Sequence, residues 1–284
     1  MENNKAEVDE ALFNVLSMFS NAAGQLGVPW LVIGATARVM LLEKVYGLPA
    51  GLATQDVDFA VQVGDWEHYQ KLREIILSNE SIEAGRPSIH RFKIEEGMIF
   101  DLLPYGGVED DVKQISWPPD GDVIMSVRGF AGANEYAVHV EVNEKISVPV
   151  VSPQGLLALK LFSWKDRHTE HPGRDAKDIG YIFHHIESLY PADMLFDKHE
   201  SSVEAADYVI PLAGVFQLGK DIAVMLQEEE KQFLSTLFGE ERVKQEDSVL
   251  CRELKKYANM SSIDETMKML DFLNKGLCSM LNTC

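Results

Sequence analysis

Apolar and polar residues alternate most sharply over positions 54–63, where Val57, Phe59, Val61 and Val63 interleave with Asp56, Asp58, Ala60 and Gln62. A period of two belongs to a strand with one buried face, so a β-strand is expected there. Upstream, Val8, Leu12, Val15, Leu16, Phe19, Ala23 and Leu26 recur at helical spacing, and Gly27 is the natural stop. Positions 29–33 form a short apolar strand, followed by a small-residue turn at 34–36 and a helix over 37–44. Asp65 can cap a helix over 66–77 whose inner side carries Tyr69, Leu72, Ile75 and Ile76. The stretch 89–94 reads as a strand that hairpins into a second apolar strand at 98–103. Positions 104–122, rich in Pro and Gly, read as loop, with two short strands after them at 137–142 and 146–151. Ser152 as cap and Pro153 at the first helical position open a helix to about Asp166. A further helix opens at Arg174, and the pattern beyond Tyr190 is helical, through Leu254, Met267, Leu270, Phe272, Leu273 and Leu277. The expected organisation is an α+β core over 1–151 and a helical domain over 152–284.

Composition narrows the class without deciding the chemistry. With 284 residues, 46% hydrophobic and 25% charged, the chain can bury a core as one large or two medium domains. Its formal net charge of −19 should repel nucleic acid and anionic membranes, so any nucleic-acid substrate needs a local basic surface. Cys251, Cys278 and Cys284 are odd in number and lack metal-like spacing, which fits a reducing compartment. The polar N-terminus lacks the build of a secretory signal. The longest apolar region, around 30–42, is interrupted by Arg38 and too short to span a bilayer. A cytoplasmic protein without membrane association is expected.

Candidate chemistry begins with Asp56 and Asp58, two residues apart on a strand and therefore on the same face. Paired carboxylates on a half-buried sheet need a compensating cation or donors, and Mg²⁺ is a hard ion that shares its sphere with phosphates. Asp-x-Asp alone also arises at solvated strand ends. The strand, Gly34-Ala35-Thr36 turn and helix before it make a seat for phosphate, through free backbone N–H groups and the helix dipole. Asp101 is a lone acid in the apolar run 98–103, either a strand-end residue or one facing a partner or metal. Arg38 either snorkels along its helix or points at substrate phosphate. Arg91 is either an exposed strand arginine or a substrate contact.

The order Gly-x-Thr, then Thr54-x-Asp56-x-Asp58-Phe59, then Asp101 on a neighbouring strand resembles the DNA polymerase β-like nucleotidyltransferase superfamily. Within it the chain is similar to the AbiEii-type group, which includes toxins of type IV toxin–antitoxin systems. The similarity continues through 99–109, Trp117-Pro118-Pro119-Asp120, 156–161, Arg174-Asp175-Ala176-Lys177-Asp178-Ile179, and Gly214, Gly219, Lys220 and Asp221. It covers about residues 25 to 225. The usual Gly-Gly or Gly-Ser of the first turn is Gly34-Ala35 here, which keeps backbone donors but loses a serine hydroxyl or glycine's freedom at positive φ. The resemblance implies a mixed sheet flanked by helices and followed by a helical region.

Lys160 is the one charge among Leu156, Leu157, Leu159, Leu161 and Phe162. Such a lysine either packs its stem and snorkels, or brings a point charge to a nucleotide's phosphates, and the resemblance implies the second role. Lys160, Lys165, Arg167, Arg174 and Lys177 form a basic island in an acidic chain. His168 and His171 within it have no nearby cysteine to complete a zinc set. Asp175 and Asp178 share a helix face. The resemblance implies that one of them, Asp175 first, orients Lys160 or helps deprotonate the acceptor.

Together these readings describe a Mg²⁺-dependent enzyme, with one or two ions and Mn²⁺ as a substitute, moving NMP from an NTP to a hydroxyl of RNA, such as a tRNA end, or of protein. Asp56, Asp58 and Asp101 are the expected metal ligands, joined by Lys160 and Asp175 as catalytic residues. Gly34, Thr36, Arg38, Thr54, Arg91, Arg174 and Asp178 are expected to contact substrate. An antitoxin protein is the partner implied by the resemblance. Two other classes stay open: a non-catalytic nucleotide-binding module, and a metal-dependent glycosyltransferase, which also uses Asp-x-Asp.

Overall fold

The chain opens with a two-residue strand, β1 (Lys5–Ala6), after which Asp9 accepts a hydrogen bond from the Leu12 amide and starts α1 (Glu10–Leu26), closed by Gly27. The computed structural model describes residues 4–51, 56–85, 89–94 and 97–280. They fall into two compact units, Met1–Leu156 and Leu157–Cys284.

The first unit continues with β2 (Trp30–Ile33) and α2 (Gly34–Arg38), which runs on as a π-helix over Val39–Val45. The helix thus begins at Gly34 itself, within the expected turn. Next come β3 (Asp56–Val63), α3 (Trp66–Leu77, capped by Asp65), β4 (Ile82–Ala84), β5 (Arg91–Ile94) and β6 (Ile99–Gly106). A small hairpin, β7 (Gln114–Ser116) and β8 (Ile124–Ser126), precedes α4 (Phe130–Glu135). Strands β9 (Val138–Val142) and β10 (Ile146–Val150) then lead into α5 (Pro153–Arg167).

Among the described residues, eight strands form one mixed sheet in the order β1-β9-β10-β2-β3-β6-β5-β4. Strands β3 and β6 pair in parallel over their whole length, while β2 on one side and β5 on the other run antiparallel to them. The alternation read in the sequence has a direct structural result. Val57, Phe59, Val61 and Val63 are buried, and Phe59 stacks on Phe19 with ring centroids 3.9 Å apart. Trp30 and Phe100 meet Phe59 edge-on at 5.7 and 5.9 Å, and Phe100 stacks in turn on Phe92. The acids of β3 are left to the opposite face.

The stretch expected to be loop carries more structure than its prolines suggest. Strand β6 runs through Pro104, which lies opposite Val61. The Leu102 amide donates toward β5, to the His90 carbonyl, so the Pro104 nitrogen points the same way; β5 pairs with β6 no further than Asp101. The missing donor therefore faces a position with no strand to serve. Strands β1, β4, β7 and β8 are too short to leave a periodic trace.

The second unit is helical: α6 (Arg174–His184), α7 (Ile186–Leu189), α8 (Ala192–Lys198), α9 (Glu200–Ala205), α10 (Ile210–Met225), α11 (Glu228–Lys244), α12 (Val249–Tyr257) and α13 (Ile263–Cys278). Helices α10 and α13 approach closely because Gly219 faces the Leu273 carbonyl and Gly276 faces that of Phe216, where a side chain would collide. Buried polar groups are matched inside this unit. Tyr190 and Gln217 both donate to Asp221, and Ser202 donates to Gln217. Glu241 accepts from Ser248, the residue that caps α12.

Phe59→Ala should cost about 3–5 kcal/mol, because it removes a stacked ring from a filled site. Guanidinium denaturation of the variant checks this; a loss under about 1 kcal/mol would show that Phe59 is not central to the core.

Candidate active site

Strand geometry alone brings three acids to one face of the sheet. Asp56 and Asp58 flank Val57, and the register places Asp101 directly beside Asp58. Side chains in register on parallel neighbours share a face, so Asp101 lies on the side of the Asp pair, away from Phe59 and Phe100. Asp101 is buried, while Asp56 and Asp58 are partly exposed.

The start of α2 lies against these acids. Gly34 has φ +72°, and a Cβ there would run into the Asp58 carboxyl group. Glycine is needed on both counts, conformation and space. Thr36, expected to contact phosphate, is buried and donates its hydroxyl to the Asp56 carbonyl at 2.7 Å. The observed work of its side chain is to fix the start of β3 against α2.

Arg91 makes the most defined contact of the site. Its Nε and Nη2 donate to the two Asp101 oxygens at 2.8 and 2.7 Å, a fork-to-fork ion pair between β5 and β6. The hydrogen bonds to Asp101, with the nearby charges of Asp101, Asp56 and Asp58, raise the Arg91 pKa above its ordinary value despite the opposing effect of burial. The exposed-arginine reading and the substrate-contact reading both missed this pairing. As a donor set, three carboxylates on one face suit a hard divalent cation. Among the described residues, however, no three acidic, histidine or cysteine side chains are gathered closely enough to hold a metal ion.

Arg38 departs from both of its expected readings. It is buried rather than snorkelling, and its guanidinium pairs with Glu43, which also accepts the Gly51 amide at 3.0 Å. A buried guanidinium requires such a counter-ion, and the pair ties the segment after the π-helix back to α2. Thr54 lies outside the described residues. A cavity of about 280 Å³ is lined by Ile89, His90, Trp117, Pro118, Pro119 and residues 120–123, but by none of the three acids. Burial lowers the His90 pKa, more than the neighbouring Asp101 charge raises it.

In the second unit the candidate residues converge on α6. Lys160, midway along α5, reaches Asp178 at 2.6 Å and Asp175 at 3.5 Å. Asp178, expected as the lesser partner, is the nearer one. Asp175 is buried and held by a bidentate Arg167 at 2.8 and 2.7 Å. Burial pushes the Asp175 carboxyl up, but the Arg167 hydrogen bonds and the charges of Lys160, Arg167 and Arg174 outweigh it and hold the pKa below the usual carboxylate range. Arg167 belonged to the basic island in the sequence but had no role assigned. The signal was present: seven residues after Lys160 on one helix, it lies on the same face.

The island itself is largely compensated. Lys165 pairs with Glu240, Arg167 with Asp175, and Lys160 with both acids of α6. Arg174 remains exposed at the start of α6, as does Lys177 one turn on. His168 stacks on Trp164, whose carbonyl it contacts through Nδ1.

A family model described as "Nucleotidyl transferase AbiEii toxin, Type IV TA system" matches residues 17–250. Solved structures show more distant similarity. Antibiotic-resistance factor ANT(2'')-Ia is 13% identical, with 71% of this chain and 99% of that one covered and a TM-score of 0.37. An antigenic nucleotidyltransferase-like protein from Paracoccidioides brasiliensis is 17% identical, with 72% and 94% covered and a TM-score of 0.41. The Thermotoga maritima CCA-adding enzyme, solved with tRNA, is 12% identical, with 96% and 82% covered and a TM-score of 0.26. The sequence has no significant match among curated proteins. Among the described residues, no helix is long and apolar enough to cross a membrane.

Because the folded pKa of Asp175 is depressed, its stabilisation is present above the unfolded carboxylate pKa and lost as pH falls through the folded value. Arg167→Gln should therefore destabilise the protein at neutral pH by roughly 2 kcal/mol, less than for a fully broken buried pair because Lys160 remains. Urea denaturation across pH should show the difference from the parent shrinking in acid; a constant difference would contradict this account.

Proposed function

We propose, for a chain that belongs to the AbiEii family of nucleotidyl transferase toxins of type IV toxin–antitoxin systems, that it transfers NMP from an NTP to a hydroxyl of an acceptor RNA. The observation that carries this reading is the shared face of Asp56, Asp58 and Asp101 with the Gly34 turn pressed against Asp58. Family membership removes the glycosyltransferase alternative and makes the chain a member of an enzyme family.

Asp56, Asp58 and Asp101 are the residues that would hold Mg²⁺, or Mn²⁺ in its place, together with the triphosphate. The bound ion would neutralise the phosphates and align the attacking and leaving oxygens. The remaining work falls to the chain. The acceptor's hydroxyl oxygen forms a bond to the α-phosphorus while the bond to the β-phosphate oxygen breaks, and pyrophosphate leaves. The hydroxyl proton passes to a carboxylate of the site or to water. Gly34 offers its backbone to phosphate, and Thr36 acts indirectly by holding the Asp56 end of β3.

Lys160 meets the negative charge that builds during transfer. Asp178 and Asp175 hold its ammonium group, and Arg167 keeps Asp175 ionised. Positioning of Lys160 is the role this geometry favours for Asp175, since Arg167 already takes both of its oxygens. Exposed Arg174 and Lys177 on α6 favour an anionic acceptor, which is why RNA is preferred here to a protein hydroxyl. An antitoxin is the counterpart that the family's type IV assignment supplies.

Incubation of the protein with each α-phosphate-labelled NTP, Mg²⁺, total RNA and total protein tests the reading. Label should enter RNA; entry into protein would overturn the choice of acceptor, and no labelled product with any NTP would overturn the reading altogether. Asp58→Asn should abolish labelling, and Lys160→Ala should slow it by about 10²–10³-fold.

A further inference from the structure

We infer that Arg91 is a competing counter-ion for Asp101, released to the triphosphate when nucleotide and metal load together. The inference deepens the proposed function and rests on its metal-centre reading.

The geometry shows what loading has to undo. Arg91 presents two donors to two oxygens of one carboxylate, the arrangement in which guanidinium and carboxylate match best. A divalent cation approaching Asp58 and Asp101 would meet the positive charge of Arg91 beside its third ligand. It would gain little from Asp101 while that fork is closed. Asp56 and Asp58, two residues apart on one strand, offer a weaker set by themselves.

The two partners differ in freedom. The Asp101 side chain is 11% exposed and fixed within the strand next to β3, whereas that of Arg91 is 43% exposed at the other side of the pair. Arg91 is therefore the partner that can leave. Its stem rests on Gly85, where a Cβ would come within 2.9 Å of the Arg91 Cβ and Cγ atoms, so the closed position is shaped by the backbone around it. A bare cation brings no anion to receive the guanidinium. A nucleotide brings a triphosphate, which accepts the same fork and carries its own metal. Metal affinity and nucleotide affinity are consequently linked through one side chain, and by reciprocity each raises the other.

Mn²⁺ titration followed by electron paramagnetic resonance, which reads binding rather than turnover, tests this on the full chain. The parent should bind Mn²⁺ weakly alone and at least about tenfold more tightly with a non-hydrolysable NTP, within the ordinary range of such coupling. Arg91→Gln should bind Mn²⁺ alone about tenfold more tightly than the parent and lose most of the nucleotide-dependent gain. Arg91→Lys, which keeps a charge without the fork, should fall between them. Equal Mn²⁺ affinity of Arg91→Gln and the parent, with Asp58→Asn losing the metal, would overturn the role of Arg91 alone. Retention of Mn²⁺ by Asp58→Asn, or no binding by the parent even with nucleotide, would overturn the metal-centre reading and this inference with it. Should Arg91→Gln not fold, the parent titrations decide: the same Mn²⁺ affinity with and without nucleotide refutes the coupling.

Discussion

Three carboxylates cannot share one face of a sheet without positive charge to meet them, and the first unit is arranged around that constraint. Full-length pairing of β3 with β6 sets Asp101 beside Asp58, while the same pairing drives Phe59 and Phe100 into the aromatic core on the other side. The core and the acid face are two consequences of one register. A slip of a single residue would exchange them. Thr36 and the Gly34 turn lock the start of β3 from above, and Arg91 supplies the charge that lets Asp101 remain buried.

The second unit solves the same electrostatic problem with the signs shared more evenly. Asp175 and Asp178 project from α6 toward two cations one heptad apart on α5, Lys160 and Arg167. Each cation has a different task. Arg167 takes both oxygens of the buried acid, leaving Lys160 as a point charge held closely by Asp178 and more loosely by Asp175.

Net charge was a poor guide to local chemistry. The basic island of 160–177 stands out in an acidic sequence, yet Lys160, Lys165 and Arg167 are each taken up by acids from the same unit. The exposed remainder, Arg174 and Lys177, is a small patch at the start of α6.

Much of this protein was settled by local sequence. Strand β3, the caps at Asp65 and Ser152, the stop at Gly27 and the Asp-x-Asp pair follow from period and from side-chain chemistry acting within a few residues. Those are short-range effects that neighbours along the chain determine. The pairing of Arg91 with Asp101, the inward turn of Arg38 onto Glu43, and the passage of β6 through Pro104 were not legible in that way. Each depends on which strand or segment lies alongside, since burial decides whether an arginine reaches water or needs a carboxylate. Sequence alone therefore determined which residues carry charge and which face of each element they occupy; tertiary structure decided whom each charge meets, because an ion pair is fixed by desolvation and distance between parts of the chain that no local pattern joins.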